Sequence, residues 1–326
     1  MPLPATVMTP PFNVVRCSHI DLAVTDLDAS AQFYEQTLGL KLTERTSDAL
    51  YLRALEERNH HSFVLRKADT AQCNAMGFKV ASEQDLDLAY DWFTEQGLYA
   101  EWVGRDFQGR TLLCRDPLGS MLEFYAQMDQ VERLLQKYGE YRVCHPQRID
   151  HFNCFSNDVQ QSVDFYSALG FRTTEYTSTD DGEEIWAAWM HRKGTVHDIA
   201  FTNGWGPRLH HVAIFLPSAM HLIHLCDVMS TTGYLDNMER GPGRHGISNA
   251  FFLYVRDPDG HRVEIYASDY LTVDPDLEPI RWSLTDTQRQ TLWGTPAPKS
   301  WFEEGSTYPD TEVVEPKLKA QPIIAH

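Results

Sequence analysis

The feature that most constrains this chain is that it repeats itself. RDPLGSMLEFY (residues 115–125) and RDPDGHRVEIY (256–266) carry the same turn and the same strand. Proline sets φ at the second turn position and glycine closes the turn. The six residues that follow alternate like a strand, with Glu123 or Glu264 in the middle. Further pairs follow in the same order. RCSHIDLAVTDLDASAQFYEQTLG (16–39) matches RIDHFNCFSNDVQQSVDFYSALG (148–170), and YLRALEERNHHSFVL (51–65) matches AAWMHRKGTVHDIAF (187–201). The offset is 132 residues at His19/His151, 136 at His61/His197 and 141 at Glu123/Glu264. So steady an offset is an internal duplication, and the 326 residues are expected to form two related domains.

Each half divides again. In the second, 148–156 reads as a strand and DVQQSVDFYSAL (158–169) has helical spacing, followed by the short strand-like runs FRTTEY, EIWAAWM and VHDIAF. RLHHVAIFL (208–216) starts the cycle again, with a helix over 218–233 closed by Gly233 and the strands AFFLYVRD and HRVEIYAS. The expected fold is α+β, two tandem domains of two βαβββ modules each. Residues 1–140 would form the first domain, 141–270 the second, and 271–326 an irregular tail packed over the second, its last stretch mobile.

The second half carries a set of residues suited to metal chemistry. Arg148-x-x-His151 and Arg208-x-x-His211 begin equivalent modules, which selects His211 over its neighbour His210. Simple alternation puts His210 on the face of Val212, Ile214 and Leu216, as a hydrogen-bonded core or shell histidine. Symmetry-related strands can bring His151, His211 and Glu264 together. Two imidazoles and one carboxylate form the facial triad of non-haem Fe(II) oxygen chemistry, which leaves room for a bidentate catecholate and O2. The first half keeps His19 and Glu123, but its middle position falls near Met76, so no metal is expected there.

Charge and cysteines narrow the surroundings. The net charge of 28 − 46 = −18 disfavours nucleic acid and anionic membranes, and an anionic substrate would need its own basic residues. The start, MPLPATVMTPPFN, has neither the basic nor the apolar stretch of a signal peptide, and no run reaches membrane-spanning length. Six scattered cysteines without a C-x-x-C pair read as reduced thiols in a cytoplasmic protein.

The βαβββ duplication resembles the vicinal oxygen chelate superfamily. Within it, GRHGISNAFFLYVRDPDGHRVE (243–264) is similar to the extradiol ring-cleavage dioxygenase signature, with Gly243-x-His245, Leu253-Tyr254, Asp257-Pro258-x-Gly260 and Glu264. RIDHFN, AAWMHRKGTVHD, GPRLHHVAI and ERGPGRHGISNAFFLY look closest to the homoprotocatechuate (3,4-dihydroxyphenylacetate) 2,3-dioxygenases. The resemblance implies Fe(II), or Mn(II), on His151, His211 and Glu264, with His197 as acid/base. Tyr254 would hydrogen-bond a metal-bound substrate oxygen. Asn153 and Trp189 would line the pocket and His245 would sit at its substrate end. Arg240, helped by Arg289, would pair with the substrate carboxylate. Catechol and O2 would be the partners, and the family suggests a homo-oligomer, a dimer or tetramer. Two other readings stay open: a dioxygenase for a different catechol, and a metal-free small-molecule-binding protein on the same fold.

Overall fold

The computed structural model describes residues 3–323. Its elements run β1 (Val14–Val24), α1 (Leu27–Ala31), β2 (Lys41–Arg45), β3 (Ala49–Arg53), β4 (Phe63–Lys67), then β5 (Gln72–Val80), α2 (Glu83–Glu95), β6 (Ala100–Val103), β7 (Thr111–Arg115) and β8 (Met121–Tyr125). The cycle repeats as β9 (Arg148–Ser156), α3 (Val159–Ala168), β10 (Arg172–Ser178), β11 (Ile185–His191), β12 (Ile199–Asn203), then β13 (Arg208–Phe215), α4 (Ala219–Thr231), β14 (Met238–Arg244), β15 (Phe251–Arg256) and β16 (Arg262–Ala267). This is the expected βαβββ unit four times over. No helix among the described residues is long and apolar enough to cross a membrane, and all six cysteines are free.

Local chemistry starts the helices. Asp158 caps α3 by accepting from the Gln161 N–H at 3.0 Å, and Asp26 caps α1 in the same way through Asp28 and Ala29. Gly233, at φ +90°, ends the α4 segment where a side chain would be strained.

With β17 (Ile280–Ser283) and β18 (Trp293–Gly294) from the tail, the strands form two sheets, ordered β2-β3-β4-β1-β5-β8-β7-β6 and β17-β10-β11-β12-β9-β13-β16-β15-β14-β18. In each, the first strands of two modules pair antiparallel at the centre, β1 with β5 and β9 with β13. Each central strand also pairs parallel with the last strand of its own module, as β13 does with β16. Such an arrangement puts residues of β9, β13 and β16 side by side.

One continuous core runs between the two sheets. Phe78 meets Phe152 and Phe171 edge-on at 5.6 and 5.8 Å, and Phe93 meets Phe165 at 5.9 Å. The repeated Phe-Tyr and Asp-Pro-x-Gly motifs gain a reason here. Tyr34 donates to Asp257 at 2.9 Å, and Tyr166 makes the mirror contact to Asp116 at 3.5 Å. Each half thus holds the turn that leads into the other half's glutamate strand.

The tail is more ordered and reaches further than expected. Its β17 (Ile280–Ser283) extends the second sheet beside β10, β18 (Trp293–Gly294) pairs with β14, and α5 (Lys299–Glu303) closes over β13. It also touches the first half, since the Cys73 N–H donates to the Thr307 carbonyl at 2.9 Å and Arg115 donates to that of Pro309. The expected mobile end partly lies at residues 324–326, outside the described residues.

The first sheet shows what becomes of the repeated site without its middle imidazole. Register sets the position: Gly77 pairs with Glu123 as Ala213 pairs with Glu264, so the counterpart of His211 is the buried Ala75, one residue before the expected Met76. Glu123 is held by His19 at 2.9 Å, Arg105 at 2.7 Å and Gln108 at 2.8 Å. The Arg105 guanidinium supplies the positive charge beside the buried carboxylate. The His19 ring fills the space above Gly77, where a Cβ would lie 2.2 Å from its atoms. Gly77→Ala is therefore expected to cost about 1–3 kcal/mol of unfolding free energy by overpacking, read from urea denaturation.

Candidate active site

Three buried side chains converge on the face of the second sheet that borders its cavity. His151 from β9, His211 from β13 and Glu264 from β16 each place a ligand atom within 4.8 Å of the others. Among the described residues this is the one cluster of that kind. His151 Nε2 lies 2.9 Å and His211 Nε2 3.1 Å from the same Glu264 oxygen.

Neighbouring groups settle which ring nitrogens point inward with a free electron pair. His151 Nδ1 donates to the Asp150 carboxylate at 3.0 Å, which leaves Nε2 for the cluster. His211 is fixed by a two-step relay. His210 Nε2 donates to the Trp301 carbonyl at 2.8 Å, so its Nδ1 accepts from His211 Nδ1 at 2.6 Å. His211 Nε2 is then bare, buried and without a hydrogen-bond partner. Two nitrogen lone pairs crowded against a carboxylate oxygen repel one another unless a cation sits among them. The donor set therefore fits Fe(II) or Mn(II).

His210 is, as expected, a buried hydrogen-bonded histidine outside the cluster, but the face expected for it is corrected. The register slips between Leu209 and His211, a bulge that breaks the alternation. His210 leaves the Val212 face and packs on Phe155 and Trp301, at 4.7 and 4.4 Å.

Burial pushes the basicity of His211 down to about 4, partly offset by Glu264. Burial would raise Glu264, but the two imidazoles outweigh it and hold the carboxylate well below its usual range. His211 and Glu264 thus favour the protonation states that metal binding requires, whereas at His151 the carboxylates of Asp150 and Glu264 outweigh burial and raise the imidazole, so that a metal ion would displace a proton there.

The other expected residues fall into two groups. His197, Asn153, Trp189, Tyr254, His245 and Arg289 all line the cavity that opens from the cluster. The His197 ring lies 3.7 Å from that of His151, and its Nδ1 is buried without a partner. Burial, with His151 and Lys193 adding to it, keeps this imidazole neutral. It stands in the loop before β12, not on a strand, and its repeat partner His61 stands just before β4. Asn153 accepts from Thr202 at 3.2 Å. His245 Nδ1 donates to the Gln290 carbonyl, and its Nε2 accepts from the Tyr254 hydroxyl at 3.0 Å. Tyr254 is left with an oxygen free to accept.

The arginines trade places. Arg240 pairs with Tyr254 across β14 and β15, and its guanidinium lies against the rings of Phe252 and Trp301 at 4.8 and 4.9 Å. It donates through one terminal nitrogen to the Gln290 carbonyl and to Thr291, leaves Nε and its other terminal nitrogen buried without a partner, and is not part of the cavity wall. Arg289, the tail residue, is on that wall at 1% exposure, with Nε and one terminal nitrogen unpartnered. Burial lowers the pKa of both arginines to about 10.

Sequence reasoning missed several wall and support residues. Trp186, Ile247, Gln290 and Trp301 form much of the apolar wall and its rim. Asp150 directly precedes a ligand histidine, and that adjacency could have flagged it.

The glyoxalase/bleomycin resistance protein/dioxygenase superfamily model matches residues 16–124 and 148–265, the two halves of the duplication. Among curated relatives, a manganese-dependent 2,3-dihydroxybiphenyl 1,2-dioxygenase from Geobacillus genomosp. 3 is 30% identical over 88% of this chain and 96% of its own. A metapyrocatechase from Geobacillus stearothermophilus is 29% identical over 94% and 98%. Among solved structures, homoprotocatechuate 2,3-dioxygenase from Arthrobacter globiformis superposes with a TM-score of 0.90 at 43% identity, covering 94% of this chain and 96% of that one. The Brevibacterium fuscum enzyme, in an anaerobic complex with 3,4-dihydroxyphenylacetate, gives 0.91 at 43% identity over 95% and 99%. With the triad, the signature strand and both halves of the duplication in agreement, the chain belongs to the extradiol ring-cleaving dioxygenases of the glyoxalase/bleomycin resistance protein/dioxygenase superfamily.

Proposed function

We propose that the chain cleaves the ring of 3,4-dihydroxyphenylacetate with O2 at the 2,3 position, giving 5-carboxymethyl-2-hydroxymuconate semialdehyde. The observation that carries this reading is the pairing of a buried His-His-Glu cluster with an unpartnered arginine, Arg289, on the wall of one cavity. The strongly acidic chain sets a positive group just where an anionic catechol needs one. The likeness to the substrate-bound relative supports the same choice.

His151, His211 and Glu264 would hold Fe(II) or Mn(II), which when bound supplies Lewis acidity toward the diol and a path for electrons to O2. Tyr254 and Asn153 orient the diol by hydrogen bonds. His197, neutral and unpartnered, takes a proton from it and later returns one to the leaving oxygen. Trp186, Trp189 and Ile247 keep water from the ring. Arg289 fixes the carboxylate, and Arg240 braces the Gln290 backbone behind it. In the first half, Arg105 stands where charge is needed, and that domain acts as scaffold. Domain limits at 1–140, 141–270 and 271–326 suit this division. We also place the protein in the cytoplasm as a homo-oligomer that binds neither nucleic acid nor membrane, in keeping with its charge.

The curated relatives act by name on uncharged catechols, and the tryptophan walls suit those too. Arg289→Ala separates the readings. KM for 3,4-dihydroxyphenylacetate is expected to rise about 10–100-fold, the worth of charge-assisted hydrogen bonds. KM for 4-methylcatechol should stay put. Equal loss on both would remove the carboxylate from the assignment.

A further inference from the structure

Behind the candidate active site lies a buried charged network that the reaction chemistry does not use. Lys193 stands in the loop between β11 and β12. Its ammonium donates to the Asp150 carbonyl at 2.6 Å and to the His197 carbonyl. It also lies 3.7 Å from the Asp150 carboxylate and 3.5 Å from that of Asp198. An ammonium has three protons, and these acceptors surround it. Burial opposes the charge, but Asp150 and Asp198 outweigh it and hold the lysine protonated.

The acceptors are the backbones and carboxylates that position the two working histidines. Asp150 orients His151. Asp198 follows His197, and its carboxylate accepts the backbone N–H groups of Arg192 and Lys193 at 2.6 and 2.9 Å. The same Asp198 accepts from the Cys17 N–H of the first half at 2.7 Å, while Cys17 Sγ donates to the Asp150 carbonyl at 2.6 Å. One cation therefore ties β9, the His197 loop and β1 together at a single point.

We propose that Lys193 is a positioning residue, acting through Asp150 to set His151 for metal and through the His197 carbonyl to set the acid/base beside it. It touches neither metal nor substrate. Without the ammonium, Asp198 loses its lysine partner and Asp150 keeps only Arg148, at 3.3 Å, as a cation, so the Asp150–His151 bond loses part of its anchor. Loss of an outer partner of this kind typically weakens metal binding about 10–100-fold.

This inference rests on the triad being the metal site, so the experiment tests both. Mn(II) binding to the metal-stripped full-length chain is titrated by calorimetry and by the Mn(II) EPR signal. Wild type should bind one Mn(II) per chain; failure there sinks the metal reading itself. Lys193→Met should bind about 10–100-fold more weakly with an altered EPR signal. In an Asp150→Asn background the same substitution should add under threefold, because both act on one bond. If Lys193→Met fails to fold, Lys193→Gln, which keeps length and a donor but no charge, serves in its place with the same expectation. An unchanged Mn(II) affinity in a folded variant, or full independence from Asp150→Asn, would overturn the proposal while leaving the triad standing.

Discussion

Glu264→Gln is expected to abolish ring cleavage and stoichiometric metal together, while the protein stays folded. The carboxylate is the one negative ligand, and it sits at 2.9 and 3.1 Å from the two imidazole nitrogens. An amide of the same shape carries no charge to hold a divalent cation, so affinity should fall by more than the about 10–100-fold that outer partners contribute. Folding should suffer little, because the change removes a buried charge and keeps the volume. The duplication provides an internal control. Glu123→Gln alters the equivalent residue of the first half, where Arg105 and His19 are the partners. It should leave metal content unchanged and lower stability, by up to about 3 kcal/mol once the partial exposure of Arg105 is discounted. Metal analysis and urea denaturation on the two variants read opposite patterns if the halves have divided their roles as described. Similar metal loss from both would contradict that division.

His197→Asn should lower kcat and spare metal binding. The ring touches the substrate cavity and lies 3.7 Å from the His151 ring without ligating in the cluster. A positioned acid or base contributes about 10²–10⁴-fold, and the lower end is expected where a bound metal already acidifies the diol. The loss should depend on the substrate. A catechol that ionises readily, such as 4-nitrocatechol, needs less help with its first proton and should lose less at that step. Steady-state kinetics on both catechols, beside metal content, read this directly. Equal kcat for wild type and variant on 3,4-dihydroxyphenylacetate would remove His197 from proton transfer.

What could be read from the sequence divides along physical lines. Alternation and turn chemistry are local, so the strands around His151, His211 and Glu264 were legible, as was their convergence once the duplication was seen. The bulge at Leu209–His211 was not legible. Nothing in RLHHVAIF marks the extra residue, and so His210 was placed on the wrong face. The counterpart of His211 was legible only as lying near Met76, and the pairing with the glutamate strand fixes it at Ala75. Arg289 and Trp301 lie in the tail, which has no repeat partner to calibrate it, yet the fold brings both to the cavity. Arg240 is on β14, where the resemblance implied a contact with the substrate carboxylate, but neighbouring rings shield its guanidinium. Buried supports such as Lys193 and Asp198 depend on contacts between distant segments, which pattern alone does not reveal.

The most direct test of the central claim is oxygen uptake by protein loaded anaerobically with Fe(II) and given 3,4-dihydroxyphenylacetate. On admitting O2, the account predicts one O2 consumed per catechol, with the yellow semialdehyde appearing in step. Fe(II) bound at one per chain, with the catechol left intact and no O2 taken up, would contradict it.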